Sequence, residues 1–103
     1  MLDTDKAYAA GFFDGEGHIE YNGPYNLQVS VAQLDRTPLD WLVTLFGGYV
    51  RHSQGNKRYN GIYNWHTNTR EAARFLDAVL PYLIVKKEHA QEALDKWNNR
   101  LKS

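Results

Sequence analysis

AAGFFDGEG, residues 9–17, is the stretch that decides how this chain is read. Ala9, Ala10 and Gly11 are small residues in a helical context, so a second helix can approach them closely. The DGEG that follows places two glycines around Glu16, enough to end the helix and leave a carboxylate at its tip. Where two such helix ends meet across a two-fold axis, a pair of carboxylates would form a natural metal site. Upstream, Asp3 or Thr4 can cap the helix over roughly residues 5–14, with Gly15 and Gly17 ending it.

Beyond the helix the pattern changes to alternation. Residues 18–22 (HIEYN) alternate, Gly23-Pro24 turns the chain, and YNLQVSVAQ (25–33) sets Tyr25, Leu27, Val29 and Val31 against Asn26, Gln28, Ser30 and Ala32. A second helix is predicted from Thr37 as cap, with Pro38 at its first position and Asp40 three residues after the cap. Its face is Leu39, Leu42, Val43 and Phe46, and Gly47-Gly48 stops it. A second strand pair is expected near 49–54 and 60–67, around the polar loop QGNKRYNG. Asn68 and Glu71 predict a capping box for a third helix, with Ala72, Phe75, Leu76 and Val79 buried and Pro81 ending or kinking it. The last helix is expected over 85–101, with Ala90, Leu94, Trp97 and Leu101 on one side. Trp41, Trp65 and Trp97 recur at no repeat period and are read as core anchors.

Four antiparallel strands with the helices on one face leave the other sheet face open. That face would present Glu20, Asn22, Asn26, Gln28, Ser30, Arg51, Ser53, Asn64 and His66, side chains able to bond base edges or phosphates. A plain polar outer face is the competing reading. The 103 residues make one domain with one modest core, a size at which self-association adds useful burial. With no cysteine, disulfides and thiolate–zinc chemistry are excluded. No apolar run reaches membrane-spanning length and no secretory leader opens the chain, so an intracellular, membrane-free protein is expected. Net charge is zero, yet residues 1–50 hold seven acids against two bases and residues 51–103 hold ten bases against five acids. Such asymmetry permits a basic face beside an acidic site, while strong non-specific DNA binding is not what a neutral chain predicts.

The motif resembles the signature of the LAGLIDADG homing endonucleases. Gly11, the pair Phe12-Phe13, Asp14, Gly15, Glu16 and Gly17 match it in order; Ala9 stands where that signature has Leu, and Glu16 where it more often has Asp. The resemblance implies an α+β fold: one αββαββα homing-endonuclease module over 1–103, a four-stranded antiparallel saddle-shaped sheet with helices on one face. It also implies a homodimer joined through the motif helices, with Ala10, Gly11 and Asp14 at the interface. In that pattern Glu16 is the metal carboxylate and the Gly15 carbonyl a second oxygen donor, for Mg²⁺ with Mn²⁺ able to substitute. VAQLDR (31–36) resembles the family region that supports waters and phosphate, pointing to Gln33 and Arg36. LPYLIVKKEHAQ (80–91) resembles the segment carrying the active-site Lys, which is Lys86 or, next to it, Lys87.

The implied activity is cleavage of a roughly palindromic duplex DNA target with short 3′ overhangs. Arg51, Lys57, Arg58 and Lys86 are the expected phosphate contacts. One copy of the motif occurs, so a single chain would hold half a site. The alternatives are a non-catalytic nucleic-acid binder of the same fold (an RNA maturase or a DNA-binding regulator) and a small interaction domain. A DGEG that is only a helix stop, or a calcium loop, is also considered; the latter lacks its glycine at Ile19 and its glutamate at Tyr25. His18, His52, His66 and His89 have no ligand spacing and read as surface or DNA-contacting residues.

Overall fold

The computed structural model describes residues 1–23, 25–56 and 59–100. The motif helix α1 runs Asp3–Glu16, two residues longer at each end than its signals suggest. Neither Asp3 nor Thr4 caps it. Instead Asp5 reaches back to accept the Leu2 N–H at 3.3 Å, which serves one of the unpaired donors of the first turn. Gly15 lies inside the helix and Gly17 stands at its C-cap, so one glycine, not two, marks the end. That position is set by packing: a Cβ on Gly17 would be driven into the Phe13 ring.

The chain continues through β1 (Gly17–Tyr21), β2 (Leu27–Gln33), α2 (Thr37–Phe46), β3 (Tyr49–Asn56), β4 (Tyr59–Asn68), α3 (Thr69–Val79), a 3₁₀ turn (Leu80–Tyr82) and α4 (Lys87–Asn98). The four strands form one antiparallel sheet in the order β1-β2-β4-β3. Tyr25 belongs to the β1–β2 turn and is exposed, so β2 begins at Leu27 and the apolar row is one residue shorter than the alternation implies. Most of the expected 54–61 loop is strand, and Lys57, Arg58 and Leu101 lie outside the described residues, as does Pro24.

Helix starts depart from the sequence expectation in an instructive way. Thr37 is the first helical residue of α2, and the Asp35 carboxylate accepts its N–H at 2.9 Å, doing the work assigned to Thr37. Asn68 precedes α3 without a side-chain cap bond. Glu71 is drawn off to accept the Gly48 N–H at 3.2 Å, pinning the turn that ends α2. Gly47 and Gly48 hold φ of 79° and 84°, where a side chain is strained, and the Gly47 carbonyl takes the Trp65 indole N–H at 2.9 Å.

Helices and sheet share one apolar layer. Phe75 is its hub, meeting Phe13 at 5.0 Å, Phe46 at 4.8 Å and Trp65 at 5.1 Å, all edge-to-face. Trp65 and Trp97 are buried as expected. Trp41 packs against the core from its margin: it is half-buried and meets the exposed Tyr8 ring edge-on at 5.2 Å. Tyr21 donates to the Lys96 carbonyl at 3.2 Å, tying β1 to α4.

Candidate active site and nucleic-acid interface

The end of α1 is where the expected site residues converge. Glu16 is the last helical residue and is exposed. Two residues back, Asp14 directs its carboxylate at the chain between the 3₁₀ turn and α4, accepting the Ile84 N–H at 2.7 Å and the Lys86 N–H at 2.9 Å. Lys86 in turn donates from Nζ to the Asp14 carbonyl at 2.7 Å. Partial burial pushes the Asp14 pKa up, but the N–H groups of residues 84–86 and the Lys86 charge outweigh it and hold the carboxyl below its ordinary range. Asp14, assigned to a dimer interface from the sequence, thus has its two oxygens engaged within its own chain. The choice between the two lysines is also geometric: Lys86 is half-buried against α1, whereas Lys87 opens α4 and is exposed.

The C-terminal end of a helix carries partial negative charge. Glu16 adds a full one there, and α1 has no basic residue in its last turn. Such a point attracts cations; Lys86, brought in from 70 residues away, already supplies one. Gly15 lies in the last turn, whose carbonyls lack an intrahelical donor. Carboxylate and carbonyl oxygens are hard donors, and Mg²⁺ is commonly held by one or two carboxylates plus substrate phosphate, so the residues present fit that ion. Among the described residues, no three His, Cys, Asp or Glu side chains come together to hold a metal.

Strand register locates Gln33. Gly17 pairs with Val31, so two residues further along β2 Gln33 comes level with the end of α1. It faces the helix side of the sheet, opposite Tyr63, whose ring lies 4.5 Å from that of His52 on β3. The row Gln33–Tyr63–His52 runs along the sheet on that side; Tyr63 was missed, and His52 was read only as a surface or DNA-contacting residue, because their pairing depends on the β3–β4 register. Arg36 lies against the same row, its guanidinium 5.8 Å from the Tyr63 ring centre, while its Nε lies 2.9 Å from Asp40. That pair is more than half exposed and contributes little to stability.

Ala10 is corrected outright. It is 0 % exposed, packed with Ala9 and Phe13 inside the chain, and cannot meet another subunit. With 3.6 residues per turn, positions 9, 10 and 13 share one face of the helix and positions 4, 8, 11 and 15 the opposite one. Gly11 lies on that outer face.

On the free face of the sheet the expected residues fall into register. Glu20, Gln28 and Asn68 form one row; His18, Ser30, His66 and Tyr49 a second; Ala32, Asn64 and Arg51 a third; and Ser53 with Ile62 a fourth. Asn22 and Asn26 border the β1–β2 turn, where the Asn26 side-chain oxygen accepts from Gln28 at 3.1 Å. His18, Tyr49, Ile62 and Asn68 belong to this face as well. His18 was already read as a surface or DNA-contacting residue; the parity of Arg51 could have found Tyr49, whereas Asn68 was absorbed into a capping box. Tyr49 stacks on His66 at 5.5 Å, and the Arg51 guanidinium lies 5.7 Å from the Tyr49 ring centre. Burial first, then Arg51, pushes the His66 pKa down, so a neutral imidazole, able to donate and accept, faces outward at pH 7.

Four antiparallel strands in this order, with helices on one face and the motif helix ending at the sheet edge, are the architecture of the LAGLIDADG homing endonucleases. The chain is similar to the archaeal intron-encoded homing endonuclease I-Vdi141I complexed with DNA (TM-score 0.76, 18 % identity, 98 % of this chain and 71 % of that one). It is similar as well to the homing endonuclease I-CvuI in complex with its target in the presence of calcium (TM-score 0.69, 25 % identity, 90 % and 65 %). A third is the group I intron-encoded I-CeuI complexed with DNA (TM-score 0.65, 16 % identity, 98 % and 54 %). The chain therefore spans between about half and 71 % of the length of these proteins. No protein-family model matches the sequence, and no curated protein sequence does. Among the described residues, no helix is long and apolar enough to cross a membrane.

Proposed function

We propose that this chain is one subunit of a homodimeric, site-specific DNA endonuclease that hydrolyses phosphodiester bonds in a roughly palindromic duplex with Mg²⁺ and leaves short 3′ overhangs. The observation that carries the reading is the end of α1, where Glu16 is exposed as the last helical residue and the Lys86 ammonium is held by the Asp14 carbonyl two residues before it. DNA-bound homing endonucleases share its fold, which supports the choice of substrate.

Bound Mg²⁺ would polarise the scissile phosphate and activate a water. Glu16 and the Gly15 carbonyl would hold it. Lys86, kept in place by the Asp14 carbonyl, stands ready to stabilise charge on the phosphoryl oxygens. Gln33 would orient a water or phosphate oxygen at the sheet end. The outer rows, with Arg51 and His66 stacked around Tyr49, would read base edges in the major groove.

Homodimerisation is supported by the glycines of α1. A Cβ on Gly11 or Gly15 would meet nothing within 4 Å, so no contact inside the chain calls for glycine there. In a helix each costs about 0.5–1 kcal/mol relative to alanine. A close-packed second copy would supply the missing reason.

The test is cleavage of a randomised duplex library by the protein and by Glu16→Gln, with Mg²⁺ and with EDTA, followed by sequencing of the ends. Metal-dependent cuts at a two-fold-symmetric sequence, lost in the variant, are expected. Enrichment by binding with no cut under Mg²⁺ or Mn²⁺ would overturn catalysis in favour of a maturase or regulator.

A further inference from the structure

At one end of the sheet the orientation of the core outlasts its cover. β2 runs two residues past the Gly17–Val31 pair, so Gln33 comes level with the end of α1, and Gln33 pairs with Tyr63 of β4. Tyr63 pairs in turn with His52 of β3. All three share the helix side of the sheet with Val31 and Trp65, which are buried. Gln33 and Tyr63 are nonetheless half-buried and His52 is exposed, so the helical layer stops short of them and leaves a ledge. Arg36, at the N-cap of α2, reaches back onto it. We infer that Tyr63 and Asp40 seat the Arg36 guanidinium for a backbone phosphate of the DNA, which makes Tyr63 a positioning residue for cleavage; this rests on the endonuclease reading above.

The seat has two contacts. The guanidinium carbon stands 5.8 Å from the centre of the Tyr63 ring, within the range of a cation–π attraction, and Asp40 accepts the Nε–H at 2.9 Å. The His52 ring, 4.5 Å from that of Tyr63, extends the aromatic surface onto β3. Together these contacts use the flat face and the Nε of Arg36. Among the described residues its two terminal nitrogens take no partner, and they are a pair able to fork onto two phosphate oxygens.

Stability gives no reason for the arrangement. The ion pair is more than half exposed on both sides and contributes little to the fold. What two weak contacts achieve is order: an arginine already seated loses less side-chain freedom when it grips a phosphate. The chemistry asks for it as well. Lys86 brings a compact point charge to the end of α1, whereas a guanidinium adds planar, directional donors for the charge that develops on the phosphoryl oxygens.

The test is a double-mutant cycle, read as single-turnover cutting by the full chain, with Mg²⁺, of the duplex recovered from the randomised library. Arg36→Ala should slow cutting about 30-fold, and Tyr63→Leu about 5-fold. Tyr63→Phe, which keeps the ring, should recover most of the second loss. In the Arg36→Ala background Tyr63→Leu should change the rate by less than about 2-fold, since a seat without its occupant has nothing to hold. An equal Tyr63→Leu loss with and without Arg36 would mean that the ring acts through the fold, and overturns the seat. So does a Tyr63→Phe as slow as Tyr63→Leu, or an Arg36→Ala that cuts at the parent rate. Should Tyr63→Leu melt below the assay temperature, Asp40→Asn puts the same question from the other contact. A loss of about 3-fold that vanishes without Arg36 supports the seat, and an additive loss overturns it. A parent chain that cuts no duplex with Mg²⁺ or Mn²⁺ overturns the endonuclease reading and the seat together, whereas every other contrary result leaves that reading intact.

Discussion

Gly17 and Gly11 stand six residues apart in one motif, and the structure gives them opposite reasons to be glycine. Gly17 is covered: the Phe13 ring occupies the place where its Cβ would go. Gly11 is bare, on the outer face of α1 with open space around it. The motif therefore has an inward half that builds the subunit (Ala9, Ala10, Phe13, Asp14, Gly17) and an outward, exposed half (Tyr8, Gly11, Gly15, Glu16), which the proposed function assigns to assembly and chemistry. If that division is right, inward substitutions lower stability, and outward ones alter assembly or chemistry while the fold persists.

Glu16→Gln is the sharpest outward change. It keeps size and polarity and removes only the charge needed to hold a divalent cation, so single-turnover cutting should fall by about 10³-fold or more. The melting temperature and duplex binding in calcium should stay near parent values, because Glu16 is exposed. A variant that melts early would move Glu16 to the inward half.

Gly17→Val is its inward counterpart. Forcing a branched side chain into the Phe13 ring should cost about 1–3 kcal/mol, a fall in melting temperature of about 4–8 °C per kcal/mol in a domain of this size. Chemical denaturation measures it. Parent stability in this variant would show that Phe13 swings aside freely and that the glycine at the helix end answers to something other than packing.

Asp14 tests the joint between the halves. Its folded pKa is depressed, so its contribution is fully present above the unfolded carboxylate value of about 3.9 and is lost as pH falls through the folded value. Asp14→Asn leaves one acceptor oxygen for the two N–H groups of Ile84 and Lys86 and should cost about 1–2 kcal/mol at neutral pH. Denaturation between pH 6 and pH 2 should show a flatter acid limb in the variant. Cutting should fall too, since the same bonds seat the backbone of Lys86, whose Nζ meets the Asp14 carbonyl. An unchanged acid limb would detach the 84–86 segment from the stability of α1.

Much of this was legible in the sequence because it is periodic. Alternation in VSVAQ, the apolar spacing of Ala72, Phe75, Leu76 and Val79, and the residues of the motif itself foretold element order, sheet face and the carboxylate at the helix end. What was not legible depends on competition among neighbours. Asp35 took the cap that Thr37 was expected to provide, and Glu71 left its capping box for Gly48. Ala10 looked like an interface residue because small residues were read as a group, whereas a turn of 100° per residue divides Ala10 from Gly11. The row Gln33–Tyr63–His52 needed strand register, which no local pattern supplies.

Gly11→Ala is the mildest change, and it separates the two accounts of the motif most cleanly. Its new methyl group meets nothing within the chain, and alanine favours the helix by about 0.5–1 kcal/mol, so the isolated subunit should become slightly more stable. If glycine is there to let a second α1 approach, the same methyl should weaken the dimer and slow cutting, giving opposite signs for denaturation and sedimentation. A variant that is both more stable and equally dimeric would mean that the outward glycine serves neither fold nor assembly. The outward half of the motif would then reduce to Tyr8, Glu16 and its oxygen donor, and subunit contact would turn on Tyr8.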